Sequence, residues 1–282
     1  MSDPTWYGDP PPEDAAIGVG GWLRVILRGG ALGVLTFGGL GLLLLLRLFE
    51  RPLFGLHRPV TPYITKFVCR TAFRIMGIGF VTKGTPMTGP GAAVANHGSW
   101  LDIFALNARK RIYFVAKAEV AGWAGIGWLA RATGTVFIER DRKHAAAQRQ
   151  VFLDRLAAGH RLMFFPEGTS TDGHRVLPFK PTLFAAFFDT DAVARMQIQP
   201  VSVIYHAPEG ADPRFYGWWG DMAFGPHLVK VLASPRQGAV EVIYHPPLSV
   251  ARMGDRKTLA RAAEDQVRAG IAAQRPVAPP EG

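Results

Sequence analysis

Eighteen consecutive residues, Gly29 to Leu46, carry no charge, and Arg28 and Arg47 bracket them. As a helix this run would extend about 27 Å at ~1.5 Å per residue, close to the ~30 Å hydrocarbon core of a bilayer. Gly29, Gly30, Gly33, Gly38, Gly39 and Gly41 weaken such a helix in isolation. Small residues are better tolerated where helices pack closely in lipid. The run therefore predicts a helix that either spans a membrane or is buried or half-inserted. Met1 to Ala16 hold four acids, four prolines and no Lys or Arg. A secretory leader needs a basic start, so residues 1–20 are expected to form a disordered lead.

The net charge is +10 and the sequence pI about 10.1, which calls for an anionic partner. The position of the charge narrows the choice. After Glu50 no acid occurs until Asp102, while Arg51, Arg58, Lys66, Arg70, Arg74 and Lys83 fall in between. Lys66, Arg70 and Arg74 recur at helical spacing, with Ile64, Phe67, Val68, Ala72 and Ile75 on another face. This predicts a basic amphipathic helix over 61–76, beside the apolar run, suited to an anionic membrane surface. Residues 21–79 thus read as membrane-anchoring helices, 80–275 as a folded domain and 276–282 as a tail. The excess of Lys and Arg after the apolar run predicts a domain on the cytoplasmic side of the cell inner membrane. A nucleic-acid-binding module would use the charge but not the apolar run, so no nucleic-acid partner is expected. Cys69 is the one cysteine, which excludes a disulfide scaffold and a cysteine-based zinc site; no metal is expected.

Beyond residue 80 the texture alternates. Short apolar runs at 92–95, 112–116, 135–138, 162–165, 198–205 and 240–244 read as strands. Helices are predicted near 99–108, 119–131, 143–158, 181–188 and 256–273. Such alternation indicates an α/β domain with a mixed, largely parallel sheet flanked by helices. Beyond Tyr205 no motif is interpretable, and Trp218 and Trp219 could belong to a membrane interface or to the core.

Common catalytic signatures are absent: there is no GxSxG, HExxH or GxGxxG, and Gly168 to Arg175 lacks the lysine of a P-loop. The informative segment is Asn96-His97-Gly98-Ser99-Trp100-Leu101-Asp102, at the end of a predicted strand, where α/β folds place ligands. A histidine moves protons well near neutral pH, better still when a carboxylate fixes its tautomer. His97 and Asp102 can pair only if His97 precedes the helix and Asp102 lies in its first turn. Ser99 and Asp102 also fit a capping box that merely starts that helix. Phe165-Pro166-Glu167-Gly168-Thr169-Ser170 follows another strand, with Gly168 permitting a special turn. Gly134 to Arg140 ends a third strand in a charged pair.

Taken in order, these blocks resemble the 1-acylglycerol-3-phosphate acyltransferase family: NHxSxxD at 96–102, GxxFxxR at 134–140, FPEGT at 165–169 and an apolar-proline block at 198–201. The resemblance covers about residues 80–205. It implies a glycerolipid acyltransferase fold with N-terminal helices on the membrane. It also implies acyl transfer from an acyl carrier protein or coenzyme A thioester to a lysolipid hydroxyl, with no cofactor. It implies His97 as general base and Asp102 as its partner. Asn96, Ser99, Lys117, Arg140, Glu167, Gly168, Thr169, Ser170, Asp172 and Lys180 are the expected substrate-binding residues. Oxyanion donors are sought among the amides near Gly98 or Gly168 and Lys117. Arg109, Lys110 and Arg111, or Arg142 and Lys143, are candidates to receive the anionic donor or simply a solvated face.

The chain departs from that family in two places. Many members place an Arg after FPEGT, where this chain has Ser170, and Phe179-Lys180-Pro181-Thr182 lacks a glycine after the lysine. Losing a planar cation disfavours phosphate, and Asp172 nearby suits an ammonium. FPEGTSTDG followed by FKPTLF is most similar to the branch acting on lyso-ornithine lipids and related aminolipids. The expectation is an O-acyltransferase that makes ornithine lipid or a related aminolipid from its lyso form. The alternative is lysophosphatidate acylation to phosphatidic acid, which Arg140 and Lys180 would serve, and a remoter one is a non-catalytic membrane-binding protein.

Overall fold

The computed structural model describes residues 5–12, 16–123, 125–138, 145–188 and 193–274. Two helices lead, α1 (Val19–Phe54) and α2 (Thr61–Met76). They are followed by β1 (Gly79–Gly84), β2 (Gly91–Ala95), α3 (Asp102–Arg109), β3 (Tyr113–Lys117), α4 (Ile126–Thr133), β4 (Val136–Ile138), α5 (Ala145–Ala157) and β5 (Leu162–Phe164). The chain closes with β6 (Gln197–His206), α6 (Phe224–Ala233), β7 (Ala239–Tyr244), β8 (Leu248–Ser249), α7 (Val250–Met253) and α8 (Arg256–Ala272). The segments predicted as helical near 119 and 181 form tight 3-10 turns at Ala118–Gly122 and Pro181–Phe187, and the first is followed by α4.

The strands form one sheet in the order β1-β7-β6-β2-β5-β3-β4, with β8 beside the start of β6. Neighbours run parallel except at β6–β7 and β6–β8, which are antiparallel. This is the mixed, mostly parallel sheet read from the sequence. Parallel sheets need cover on both faces, and the period of two along the strands supplies it. Ala93 and Ala95 of β2 join Val201 and Val203 of β6 under α2, α3 and α6, while Ala92 and Val94 face α5 and α8. The parallel core strands end together on one edge, and the loops leaving that edge carry the motif blocks. Trp219 is buried, 2% exposed, and Trp218 is half-buried against the cluster that holds Ala93 and Val201.

α1 is twice as long as its charge-free run because its charges are satisfied locally. Arg24 and Arg28 donate to the carbonyls of Ala233, and of Leu232 and Ser234, at the C-terminal end of α6. A cation is favourable there. At the other end Glu50 is buried and accepts from the backbone N–H groups of Val60 and Thr61, the Thr61 hydroxyl and Arg47. That carboxylate caps α2 from the neighbouring helix. Between these ends Gly39 lets α2 approach so closely that a Cβ would sit 2.6 Å from Val68. The helix is thus tied to the domain along its length, while Leu23, Leu27, Val34, Phe37, Leu45 and Leu48 point outward and are exposed. On α2, Arg70 and Arg74 are exposed and Cys69 is buried, which pushes its thiol up to about 12 and leaves it unreactive.

Residues 5–12 correct the expectation of a disordered lead. They pack across the loops at the edge of the sheet that carries the motif blocks, with Trp6 6.2 Å from Trp219 and the Trp219 indole N–H on the Asp9 carbonyl. Aromatic burial outweighs the acid- and proline-rich composition that suggested disorder. Residues 1–4 and 13–15, and the expected tail at 276–282, lie outside the described residues.

His160 clamps the sheet to the helical hairpin. Its ring stacks on Tyr113 at 4.0 Å, and Nε2 is 2.9 Å from the Leu56 carbonyl between α1 and α2. Burial, with Arg155 nearby, lowers its pKa to about 4. The folded protein therefore keeps His160 neutral where the unfolded chain, titrating near ~6.5, takes up a proton. Stability from this contact is complete above pH ~6.5 and is lost as pH falls toward about 4. The melting temperature should decline through this window, and the decline should be shallower in His160→Gln. Parallel declines in both proteins would exclude His160 as the cause.

Candidate active site

Four segments converge at the C-terminal end of β2. Asn96 continues the strand by a side-chain ladder: its amide donates to the Val203 carbonyl and its Oδ1 accepts from the Val203 N–H. This locks β2 to β6 where the main chain turns away. His97 follows, before α3, and Asp102 is the first residue of α3. The five-residue separation thus closes as the sequence required: His97 Nδ1 lies 2.7 Å from Asp102 Oδ2. The same oxygen accepts the N–H groups of Gly98 and Ser99, and Tyr205 donates to Oδ1 at 2.6 Å. Asp102 is fully buried. An ionised carboxylate only accepts, so Nδ1 carries the proton and Nε2 keeps its lone pair. Burial and the Asp102 charge push the Tyr205 phenol well above its ordinary value, so it remains a donor. The capping reading coexists with the catalytic one, since Asp102 takes the Ser99 N–H while holding the imidazole.

The imidazole is 20% exposed and stacks on Phe165 at 4.0 Å. Phe165 begins the second segment, and Gly168 there has φ +75°. Glu167 is 1% exposed. Its two oxygens accept the N–H groups of His97 and Leu177, both at 2.7 Å. It therefore faces inward and joins the two catalytic loops rather than the solvent side of the site. Burial pushes its carboxyl up to about 8, against the two N–H donors that favour the charged form. Lys180 belongs to this turn: a Cβ on Gly168 would lie 2.5 Å from its Nζ. Thr169 accepts the Trp6 N–H at 3.3 Å, and Ser170 beside it is half-buried.

Residues 171–175 return to His97. The Thr171 N–H donates to the His97 carbonyl, its hydroxyl to the Arg175 carbonyl, and Gly98 meets Gly173 backbone to backbone. A Cβ on Gly98 would fall 2.6 Å from the Gly173 Cα. Asp172, expected to face an ammonium, is 2% exposed and already engaged. It accepts the His174 N–H and pairs with the Arg175 guanidinium. The Trp100 indole donates to His227 on α6 and holds the loop from the other side.

Other expected residues lie apart. Lys117 ends β3 on the same edge of the sheet, two strands from β2, and no hydrogen bond or ion pair joins it to His97 among the described residues. The Gly98 and Gly168 amides already donate to Asp102 and the Phe165 carbonyl, so neither is open for an oxyanion. Arg140, Arg142 and Lys143 lie outside the described residues. α3 carries Arg109, Lys110 and Arg111 away to the opposite edge of the sheet. There Arg111 stacks over Tyr63, and burial together with Arg161 and Arg111 lowers the Lys110 pKa. That cationic cluster adjoins α2, not the catalytic loops. Among the described residues no group of His, Cys, Asp or Glu is arranged to hold a metal ion.

Tyr205, on Asp102, and Arg175, on Asp172, join the site although no motif singled them out, and Phe165 of the FPEGT block stacks on His97 although no role was expected of it. Tyr205 had a faint signal: it shares the inward face of β6 with Val201 and Val203 at period two. The arrangement can remove a proton from a hydroxyl at Nε2 and stabilise the resulting imidazolium through Asp102.

A family model described as Acyltransferase matches residues 80–204. The chain is 58% identical to a lyso-ornithine lipid O-acyltransferase of Rhodobacter capsulatus over 96% of this chain and 98% of that protein. It is 37% identical to a protein of the same description from Brucella abortus, over 88% and 94% of the two chains. The fold matches the crystal structure of the 1-acyl-sn-glycerophosphate acyltransferase PlsC from Thermotoga maritima, with TM-score 0.63, 21% identity and coverage of 92% and 98%.

Proposed function

The chain belongs to the PlsC-like acyltransferase family, as a membrane-associated lysolipid O-acyltransferase, and from that premise we propose that its acceptor is lyso-ornithine lipid and its product ornithine lipid. The observation that carries this reading is the 58% identity to the Rhodobacter capsulatus protein across nearly the whole of both chains. Ser170 supports it, standing where a phosphate-reading member would carry an Arg.

His97 Nε2 takes the proton of the acceptor hydroxyl as the oxygen attacks the thioester carbonyl. Asp102 holds the imidazolium. The tetrahedral intermediate then expels the thiolate, which recovers the proton from His97, so the ester forms and the thiol leaves with no net change in protonation. Lys180 brings positive charge to the turn on which the carbonyl oxygen becomes negative. The donor is an acyl carrier protein thioester, with coenzyme A thioester the second choice, and no cofactor takes part. The domain works on the cytoplasmic side of the inner membrane, with α1 lying in the lipid interface. Its contacts to α6 at one end and to α2 at the other support this over a helix that leaves the domain.

The test supplies purified enzyme in phosphatidylcholine vesicles with an acyl carrier protein thioester, and either lyso-ornithine lipid or lysophosphatidate. Ornithine lipid should form and phosphatidic acid should not. Turnover of lysophosphatidate alone would overturn the acceptor, and a parallel reaction with coenzyme A thioester tests the donor, which turnover with that thioester alone would overturn.

A further inference from the structure

We infer that Arg175 reads the acceptor head group: its guanidinium binds the carboxylate of the amino-acid head, and Asp9 takes the ammonium. This rests on the aminolipid reading above and goes beyond it by assigning the residues that select the head group.

Arg175 is held at the site by its backbone. Its carbonyl accepts the Thr171 hydroxyl, and the Thr171 N–H donates to the His97 carbonyl. The guanidinium is oriented by Asp172, whose Oδ2 lies 3.0 Å from Nε and 2.9 Å from Nη2. Because Asp172 is buried, this edge of the fork is fixed before any ligand arrives. One face of the guanidinium packs on the Trp6 ring, 4.8 Å from its centroid, and the Trp6 N–H is tied to Thr169 in the catalytic turn. The strap of residues 5–12 therefore roofs a cation presented by the return loop whose Thr171 N–H is bonded to the His97 carbonyl.

The rest of the guanidinium is available. The side chain is 46% exposed, and its outer partner is Asp9 at 3.3 Å, itself 71% exposed. Among the described residues Nη1 has no hydrogen-bond partner. An exposed pair of this kind is weak, so a ligand carboxylate can displace Asp9 and meet a pre-oriented planar fork. Charge then decides which anion fits. Asp9 and Asp172 face Arg175, and the neighbouring Arg214, which feels both of them, is itself paired with Asp212, so three carboxylates meet two guanidiniums and a dianionic phosphate is repelled. A zwitterion is accommodated, because its carboxylate replaces Asp9 on Arg175 and its ammonium restores a partner to Asp9.

The experiment compares lyso-ornithine lipid with its methyl ester, in which the carboxylate is blocked, using wild-type enzyme, Arg175→Gln and Trp6→Ala in phosphatidylcholine vesicles. Wild type should show a KM for the acid about tenfold below that for the ester. Arg175→Gln should raise the KM for the acid by about tenfold with kcat changed less than about twofold, and leave the ester unaffected. Trp6→Ala should move in the same direction by a few-fold without disturbing Asp172, so it carries the test if Arg175→Gln lowers the melting temperature. Equal effects on acid and ester, or a loss confined to kcat, would overturn the assignment. Turnover of lyso-ornithine lipid with no Arg175 effect defeats this inference alone. No turnover of lyso-ornithine lipid by wild type defeats the acceptor reading and this inference with it.

Discussion

Replacing His97 with alanine is expected to lower kcat by about 10²- to 10⁴-fold, the range contributed by a positioned general base, with membrane binding and melting temperature close to wild type. The side chain is partly exposed, and its main contact beyond Asp102 is the stack on Phe165, so its loss opens a small gap at the surface of the site. Asp102 keeps the N–H groups of Gly98 and Ser99 and the Tyr205 hydroxyl, so the buried carboxylate is not stranded. The measurement is thiol release from the acyl thioester in the presence of lysolipid, beside vesicle sedimentation and thermal melting. Turnover within tenfold of wild type would remove His97 from the role of base.

Asp102 should separate rate from stability. In Asp102→Asn the amide oxygen can still accept from the loop N–H groups, and the amide nitrogen can donate to the Tyr205 oxygen. The fold should therefore survive, while the negative charge that stabilises the imidazolium is gone. We expect kcat to fall by about 10²- to 10⁴-fold with little change in melting temperature. Asp102→Ala is different: it leaves the buried Gly98 and Ser99 N–H groups and the Tyr205 hydroxyl without their acceptor, each costing about 1–3 kcal/mol, and should destabilise the protein markedly. Because His97 and Asp102 act as one unit, the double variant His97→Ala/Asp102→Asn should be no slower than His97→Ala alone. Multiplicative losses would show that Asp102 contributes independently of His97.

The parts of this site that were legible in the sequence are those that a short stretch of chain determines. A strand end, a histidine, then an acid in the next helical turn constrains itself within a few residues, and so does the Pro166-Glu167-Gly168 turn. The unread parts depend on partners far away in the chain. Tyr205 reaches Asp102 across 103 residues because β6 lies beside β2, a pairing that no local pattern specifies. Glu167 was expected at the substrate from the resemblance alone, and nothing local shows that it faces inward. Its two backbone donors, His97 and Leu177, come from separate loops. Asp172 was read as suited to an ammonium because nothing in the local pattern shows that Arg175, three residues on, folds back onto it in a tight turn. Residues 5–12 are polar enough to read as unstructured, yet Trp6 finds Trp219, Arg175 and Thr169 in the folded domain. In α1 two of the glycines that weakened the helix on paper are where it meets its neighbours, Gly39 against α2 and Gly29 against Leu232 of α6, as Gly21 meets Ala233 nearer the start, while Gly30, Gly33, Gly38 and Gly41 have open space beside them.

The outward row of leucines, valine and phenylalanine along α1 has a kinetic meaning. With α1 in the lipid interface as proposed, the enzyme samples its acceptor in two dimensions, so the quantity that governs saturation is the mole fraction of lysolipid in the leaflet and not its amount per volume. Adding inert lipid at constant total acceptor dilutes that surface and slows the reaction. The proposed thioester donor, if it comes from solution, arrives from three dimensions, and on this proposal the edge of the sheet that carries His97 is the place where the two supply routes meet.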